Sequence, residues 1–125
     1  MAEEFGYEKL EVWQLGMRLT DHVYELTRNF PQSELYGLTS QMRRPAISVS
    51  CNIAEGYGRG SNPAFAAFAK ISRGSLYELR TQLEVALRQG FVSEEVNSNL
   101  RSESVLLSRK LDAFIRTLEK RTANR

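Results

Sequence analysis

Residues 36–56 read Tyr-Gly-Leu-Thr-Ser-Gln-Met-Arg-Arg-Pro-Ala-Ile-Ser-Val-Ser-Cys-Asn-Ile-Ala-Glu-Gly. Placed at 100° per residue, Met42, Ala46, Val49 and Ile53 fall on one side of a helix. Ile47, Cys51 and Ala54 fall on another, separated from the first by Arg43 and Ser50. The polar arc that remains is narrow: Gln41, Arg44, Ser48, Asn52, Glu55 and Arg59. A helix in an isolated bundle needs one apolar stripe, and this one carries nearly two. The economical explanation is a helix packed inside its own bundle and also against another subunit, with Ile47, Cys51 and Ala54 as the oligomer interface. The competing explanation is a kinked central helix well buried in a monomer. Pro45 removes one backbone hydrogen bond and is expected to bend the helix there.

Working outward, three more segments have helical spacing. The first is predicted over 7–28, where Val12, Gly16, Leu19, Val23, Leu26 and Phe30 form one apolar face and Asn29-Phe30-Pro31 ends the helix. Gly16 weakens this helix and so marks a close contact with a neighbour. The quoted segment itself is predicted over 33–56 with Ser33 as its cap. A third helix is expected over 63–89, capped by Asn62, started by Pro63 and closed by Gly90. Its stripe is Phe65, Phe68, Ser72, Leu76, Leu79, Leu83 and Ala86. The fourth is expected over 93–121, with Ser93 as cap, Glu94 and Glu95 in its first turn, and Val96 as a buried anchor. Leu100, Ser104, Leu107, Leu111, Phe114 and Leu118 form its stripe, and Lys120, Arg121 and Arg125 suit its C-terminal end. Short connections make these antiparallel neighbours. The expectation is one domain over 1–125, all-α, an antiparallel up-down four-helix bundle.

The 125 residues are enough to bury a core without metal or disulfide support. Hydrophobic residues at 42% and charged residues at 26% match an ordinary globular domain. One cysteine excludes an internal disulfide. Met1-Ala2-Glu3-Glu4-Phe5 has no apolar run behind it and reads as no secretory signal. The longest uncharged stretches, 45–54 and 60–69, fall well short of the ~20 residues that span a bilayer. A cytoplasmic protein without a membrane partner is expected.

The net charge of +2 alone does not imply nucleic acid. Arginine is nevertheless favoured over lysine thirteen to four, and arginine suits phosphate and base recognition better. On the third helix Lys70, Arg73, Tyr77, Arg80 and Arg88 project within about 80° of one another, interrupted by Glu84. Arg43, Arg44 and Arg59 make a second cluster. Basic side chains with an interleaved aromatic suit a phosphate backbone and an occasional stacked base. The alternative is a solvated face held by intramolecular i,i+4 pairs such as Glu84–Arg88 and Glu55–Arg59.

Catalytic constellations are scarce, and no enzyme activity or cofactor is expected. His22 is the only histidine and reads as a partly buried helix residue. Cys51 has no activating histidine nearby and, as a thiol, reads as a small core residue. One cysteine and one histidine make no zinc site, and no repeated Glu-x-x-His supports a di-iron centre. Gly56-Tyr57-Gly58-Arg59-Gly60-Ser61 lacks the Lys of a phosphate-binding loop and reads as an interhelical turn. Ser48, Asn52 and Glu55 read as polar interface or inter-helix hydrogen-bonding residues.

The stretch 36–56 resembles the four-helix bundle protein family, also called the 23S rRNA intervening-sequence protein family. Leu10-Glu11-Val12-Trp13-Gln14, Phe30-Pro31-Gln32-Ser33-Glu34, Gly58-Arg59 and Arg73-Gly74-Ser75-Leu76-Tyr77-Glu78-Leu79 extend the resemblance over about 5–120. Pro45 departs from the family pattern, which has alanine or another small residue there. The resemblance implies a ring-like homopentamer. It also implies kinship with accessory proteins of diversity-generating retroelements, which bind nucleic acid and a reverse transcriptase. The function expected on these grounds is a homo-oligomeric accessory factor that binds RNA or DNA backbone. The alternative is an oligomeric scaffold for a protein partner.

Overall fold

The computed structural model describes residues 5–123, so the acidic start before Phe5 and the cation of Arg125 lie outside the described residues. Four helices make up the fold: α1 (Glu11–Thr27), α2 (Ser40–Gly58), α3 (Asn62–Arg88) and α4 (Glu94–Ala123). No strand occurs among the described residues. Packing is sequential, α1 on α2, α2 on α3, α3 on α4, and α4 closes on α1. The cross-links run in opposite senses along each seam. Gln82 meets Gln41 while Ser72 meets Val49, and His22 meets Glu103 while Lys110 meets Glu11. The bundle is therefore antiparallel, up-down-up-down.

The core is built from the expected stripes. Leu19 and Val23 of α1, Met42, Ala46, Val49 and Ile53 of α2, Leu76, Leu79 and Leu83 of α3, and Leu107 and Leu111 of α4 are all buried. Each fully buried leucine contributes about 1.5–3 kcal/mol over an exposed one. Ile115 also belongs to this core, although the spacing of the fourth stripe points to Phe114 at that level. Val96 is not a buried anchor: it is 38% exposed and lines an open groove between α1 and α4 beside His22 and Leu26, while Asn97 is the residue buried at that level. Ser93 does cap α4, its Oγ accepting from Val96 N–H at 3.2 Å.

Two glycines allow close approach. A Cβ on Gly16 would collide with Ser50 Oγ, which donates to the Trp13 carbonyl across the α1–α2 seam at 3.0 Å. A Cβ on Gly56 would lie 2.8 Å from Phe68 Cβ. Gly56 is thus a buried α2–α3 contact inside α2, and the turn proper is the segment around Gly60, at φ 80°.

The helix starts differ from the expectation. Tyr7 sits in a separate 3-10 turn, Gly6–Lys9, because Leu10 is extended (φ −72°, ψ 131°) and α1 begins after it. Asn62 is the first residue of α3, and Ser61 is the cap, its Oγ accepting from Ala64 N–H. The second helix does not begin at Ser33. A 3-10 turn, Gln32–Glu34, leads into a π-turn, Leu35–Thr39, broken at Gly37 (φ −110°, ψ −116°). The Glu34 carboxylate, not Ser33, accepts from Leu38 N–H at 3.2 Å. Pro45 lies inside a continuous α2. The carbonyl it leaves without an intrahelical donor, that of Gln41, accepts from the side-chain amide of Gln82 on α3 at 2.8 Å.

Candidate nucleic-acid interface

The third-helix cations do share one face, and that face meets α4. Lys70 Nζ lies 3.3 Å from Glu119, and Arg73 Nη1 donates to Asp112 at 3.0 Å. Arg80 is tied most firmly. Its Nε donates to Ser104 Oγ at 2.8 Å, and its Nη2 donates to the Ser104 carbonyl at 3.0 Å and to Ser108 Oγ at 2.6 Å. Ser104 is fully buried, so Arg80 satisfies polar atoms that water does not reach. The exposed Tyr77 ring lies 4.8 Å from the Arg80 guanidinium. Arg88 pairs with Glu84 at 3.0 Å, and Arg101 reaches the same carboxylate at 3.8 Å.

The second cluster divides. Arg59 pairs with Glu55 at 3.0 Å and stands 5.0 Å over the Phe68 ring. Arg43 stands 4.4 Å over the Tyr24 ring and donates from Nε to Thr27 Oγ1 at 2.8 Å. Arg44 is exposed and makes no ion pair among the described residues. The i,i+4 pairs Glu84–Arg88 and Glu55–Arg59 are both formed.

The polar residues of the 48–55 motif are structural in their contacts. Asn52 Nδ2 donates to the Ser48 carbonyl and to Ser48 Oγ, both at 2.8 Å, and Ser75 Oγ donates to Ser48 Oγ at 2.9 Å. This chain fastens α2 to α3. Glu55 is spent on Arg59.

On the outward side of α2, Ile47 is 40% exposed, Cys51 is exposed and Ala54 is half-buried. Cys51 is therefore no core residue, because the helix turns Val49 and Ile53 inward instead. His22 is likewise not partly buried. Its side chain is 48% exposed and its Nδ1 lies 2.8 Å from Glu103 across the α1–α4 seam. No group of three or more His, Cys, Asp or Glu able to hold a metal ion occurs among the described residues. No helix among them is long and apolar enough to cross a membrane.

Two groupings of residues are not made by the sequence reading. Arg109, Arg116 and Lys120 lie on the outward face of α4 within about 40° of one another, and none has an ion pair among the described residues. Leu35, Tyr36 and Tyr24 join Arg43, Arg44 and Ile47 around one groove. The seven-and-four spacing of the first group is visible in the sequence. The second group is hidden there, because a continuous helix over 33–56 gives Tyr36 no special place.

The fold has a solved counterpart in a protein of unknown function from the S23 ribosomal protein family of Bacteroides thetaiotaomicron VPI-5482. The TM-score is 0.78 at 18% identity, over 84% of this chain and 95% of that one. A search of the curated proteins finds no match. The family described as 23S rRNA-intervening sequence protein matches residues 8–113, which span all of α1, α2 and α3 and most of α4. The chain belongs to the 23S rRNA-intervening sequence protein family.

Proposed function

We propose that the protein is a homo-oligomeric accessory factor that binds the backbone of RNA or DNA and catalyses no reaction itself. The observation that carries this reading is the charge left over on α4. Asp112 and Glu119 are turned to Arg73 and Lys70 of α3. Arg109, Arg116 and Lys120 on the same helix then face solvent without a carboxylate partner among the described residues. Their rise along the helix axis is about 10 Å and then about 6 Å, a row that tracks a phosphate chain without reading bases. The α3 cations contribute by binding the carboxylates that would otherwise neutralise this row.

The assembly in this reading is the pentameric ring implied by the resemblance, in the cytoplasm, with Ile47, Cys51 and Ala54 at the contact between copies. The core closes over Met42, Ala46, Val49 and Ile53 without them. A ring repeats each modest cationic row, so that weak single sites act together. The reading is tested by fluorescence anisotropy of labelled RNA and DNA across a salt series. In Arg109→Ala/Arg116→Ala/Lys120→Ala, the slope of log affinity against log salt should flatten by roughly 0.7–0.9 for each phosphate no longer neutralised. An unchanged slope would remove α4 from the interface.

A second reading, an oligomeric scaffold for a protein partner, is favoured by the internal ties of Lys70, Arg73 and Arg80. It expects partner binding that resists salt, as an apolar contact does.

A further inference from the structure

The turn that leads into α2 carries a tyrosine that packs on almost nothing. Tyr36 is 92% exposed, more than any other large apolar side chain described. It precedes the break at Gly37, so it belongs to the π-turn and stands apart from the regular surface of α2. It borders a groove of about 520 Å³, a size that suits a small ligand or one unit of a polymer.

The chemistry of that groove is one-sided. Its rim holds Tyr24 and Tyr36, Arg43 and Arg44, Leu35 and the hydroxyl residues Thr39 and Ser40, with no carboxylate, and Ile47, assigned above to the contact between copies, marks its edge on that side. Arg44 has no ion pair among the described residues. Arg43 is held in place through Nε on Thr27 and by the Tyr24 ring beneath its guanidinium, while its two terminal amino groups make no hydrogen bond among the described residues. Two guanidinium groups without an anion, beside an open aromatic ring, complement a ligand that has both a negative charge and a flat π-face.

We infer that this groove takes one unstacked nucleotide of a single-stranded RNA or DNA, its base on the Tyr36 ring and its phosphate between Arg44 and the terminal amino groups of Arg43. A duplex keeps its bases stacked inside and offers this site only a phosphate. The inference rests on the nucleic-acid reading above and adds to it a preference for single strands.

The test uses the intact protein and a short fluorescein-labelled RNA, alone and annealed to its complement, at low salt. Wild type should prefer the single strand. Tyr36→Ala should weaken single-strand binding by roughly fivefold or more and leave duplex binding and assembly mass unchanged. Tyr36→Phe, which keeps the ring, should bind as wild type does. The Tyr36 ring supports no buried packing, so these variants fold. Equal single-strand affinity in Tyr36→Ala and wild type overturns the groove alone. So does an equal weakening on single strand and duplex. A change of assembly mass in Tyr36→Ala, measured by light scattering, also overturns it and makes the ring an anchor between copies. Wild type binding neither form would remove the broader nucleic-acid reading, and the groove with it.

Discussion

Replacing Arg80 by alanine separates the two roles that its position on α3 suggests. In the folded protein its guanidinium makes three hydrogen bonds, to Ser104 Oγ, the Ser104 carbonyl and Ser108 Oγ. Hydrogen bonds from a charged donor contribute about 1.5–3 kcal/mol each in isolation, and three from one group are not additive. Truncation also leaves Ser104 Oγ, which is fully buried, without its partner. Arg80 is itself only half-buried, and water reaching the vacated space recovers part of the loss. The expected destabilisation is about 2–4 kcal/mol. For a chain of this length that lowers Tm by roughly 8–15 °C. The assay is thermal and urea unfolding followed by circular dichroism, at one fixed protomer concentration, because assembly couples to stability. A double-mutant cycle with Ser108→Ala isolates the Arg80–Ser108 term. Nucleic-acid affinity measured below the transition should stay within about twofold of wild type, since the guanidinium donates inward. Unaltered stability together with a large loss of affinity would refute the reasoning and return Arg80 to the binding surface.

Two other perturbations follow from the packing. Gly16→Ala places a methyl group against Ser50 Oγ and should cost about 1–3 kcal/mol by overpacking, more than the helix gains from alanine; urea midpoints decide it. Ile47→Glu puts a charge on the outward face of α2 and should dissolve the proposed oligomer with helices intact, so an unchanged mass by light scattering with normal circular dichroism would move the contact elsewhere.

The helical stripes are legible in the sequence because burial imposes a period. Val12, Gly16, Leu19 and Val23 recur at four-, three- and four-residue spacing, and only one face of α1 can turn inward. Gly16 is legible for a related reason: a residue with no side chain on an apolar stripe marks the place where another backbone comes close. The beginning of the second helix is less legible. Its apolar period continues through Leu35 and Leu38, so periodicity alone does not reveal the break, which depends on the φ/ψ freedom of Gly37 and on Glu34 reaching the Leu38 amide. The cationic face of α3 is correctly grouped by helical projection. What that face meets is not a property of one helix, since the carboxylate that engages Arg73 lies 39 residues further along the chain. The same gap explains Arg80. A seam of serines on α4 carries no charge and so gives no sign, in the sequence, that it will hold a guanidinium.

The pairing of Gln41 with Gln82 bears on which parts of the bundle act together. An isolated α2 has a gap in its hydrogen-bond ladder at Pro45, and no residue of α2 fills it. The missing donor arrives from α3. Ser72 and Ser75 add two more ties from α3, to the Val49 carbonyl and to Ser48. Helix α2 therefore reaches its full complement of bonds only as half of a hairpin. The α2–α3 pair is thus expected to open as one cooperative unit, its amides exchanging with solvent together.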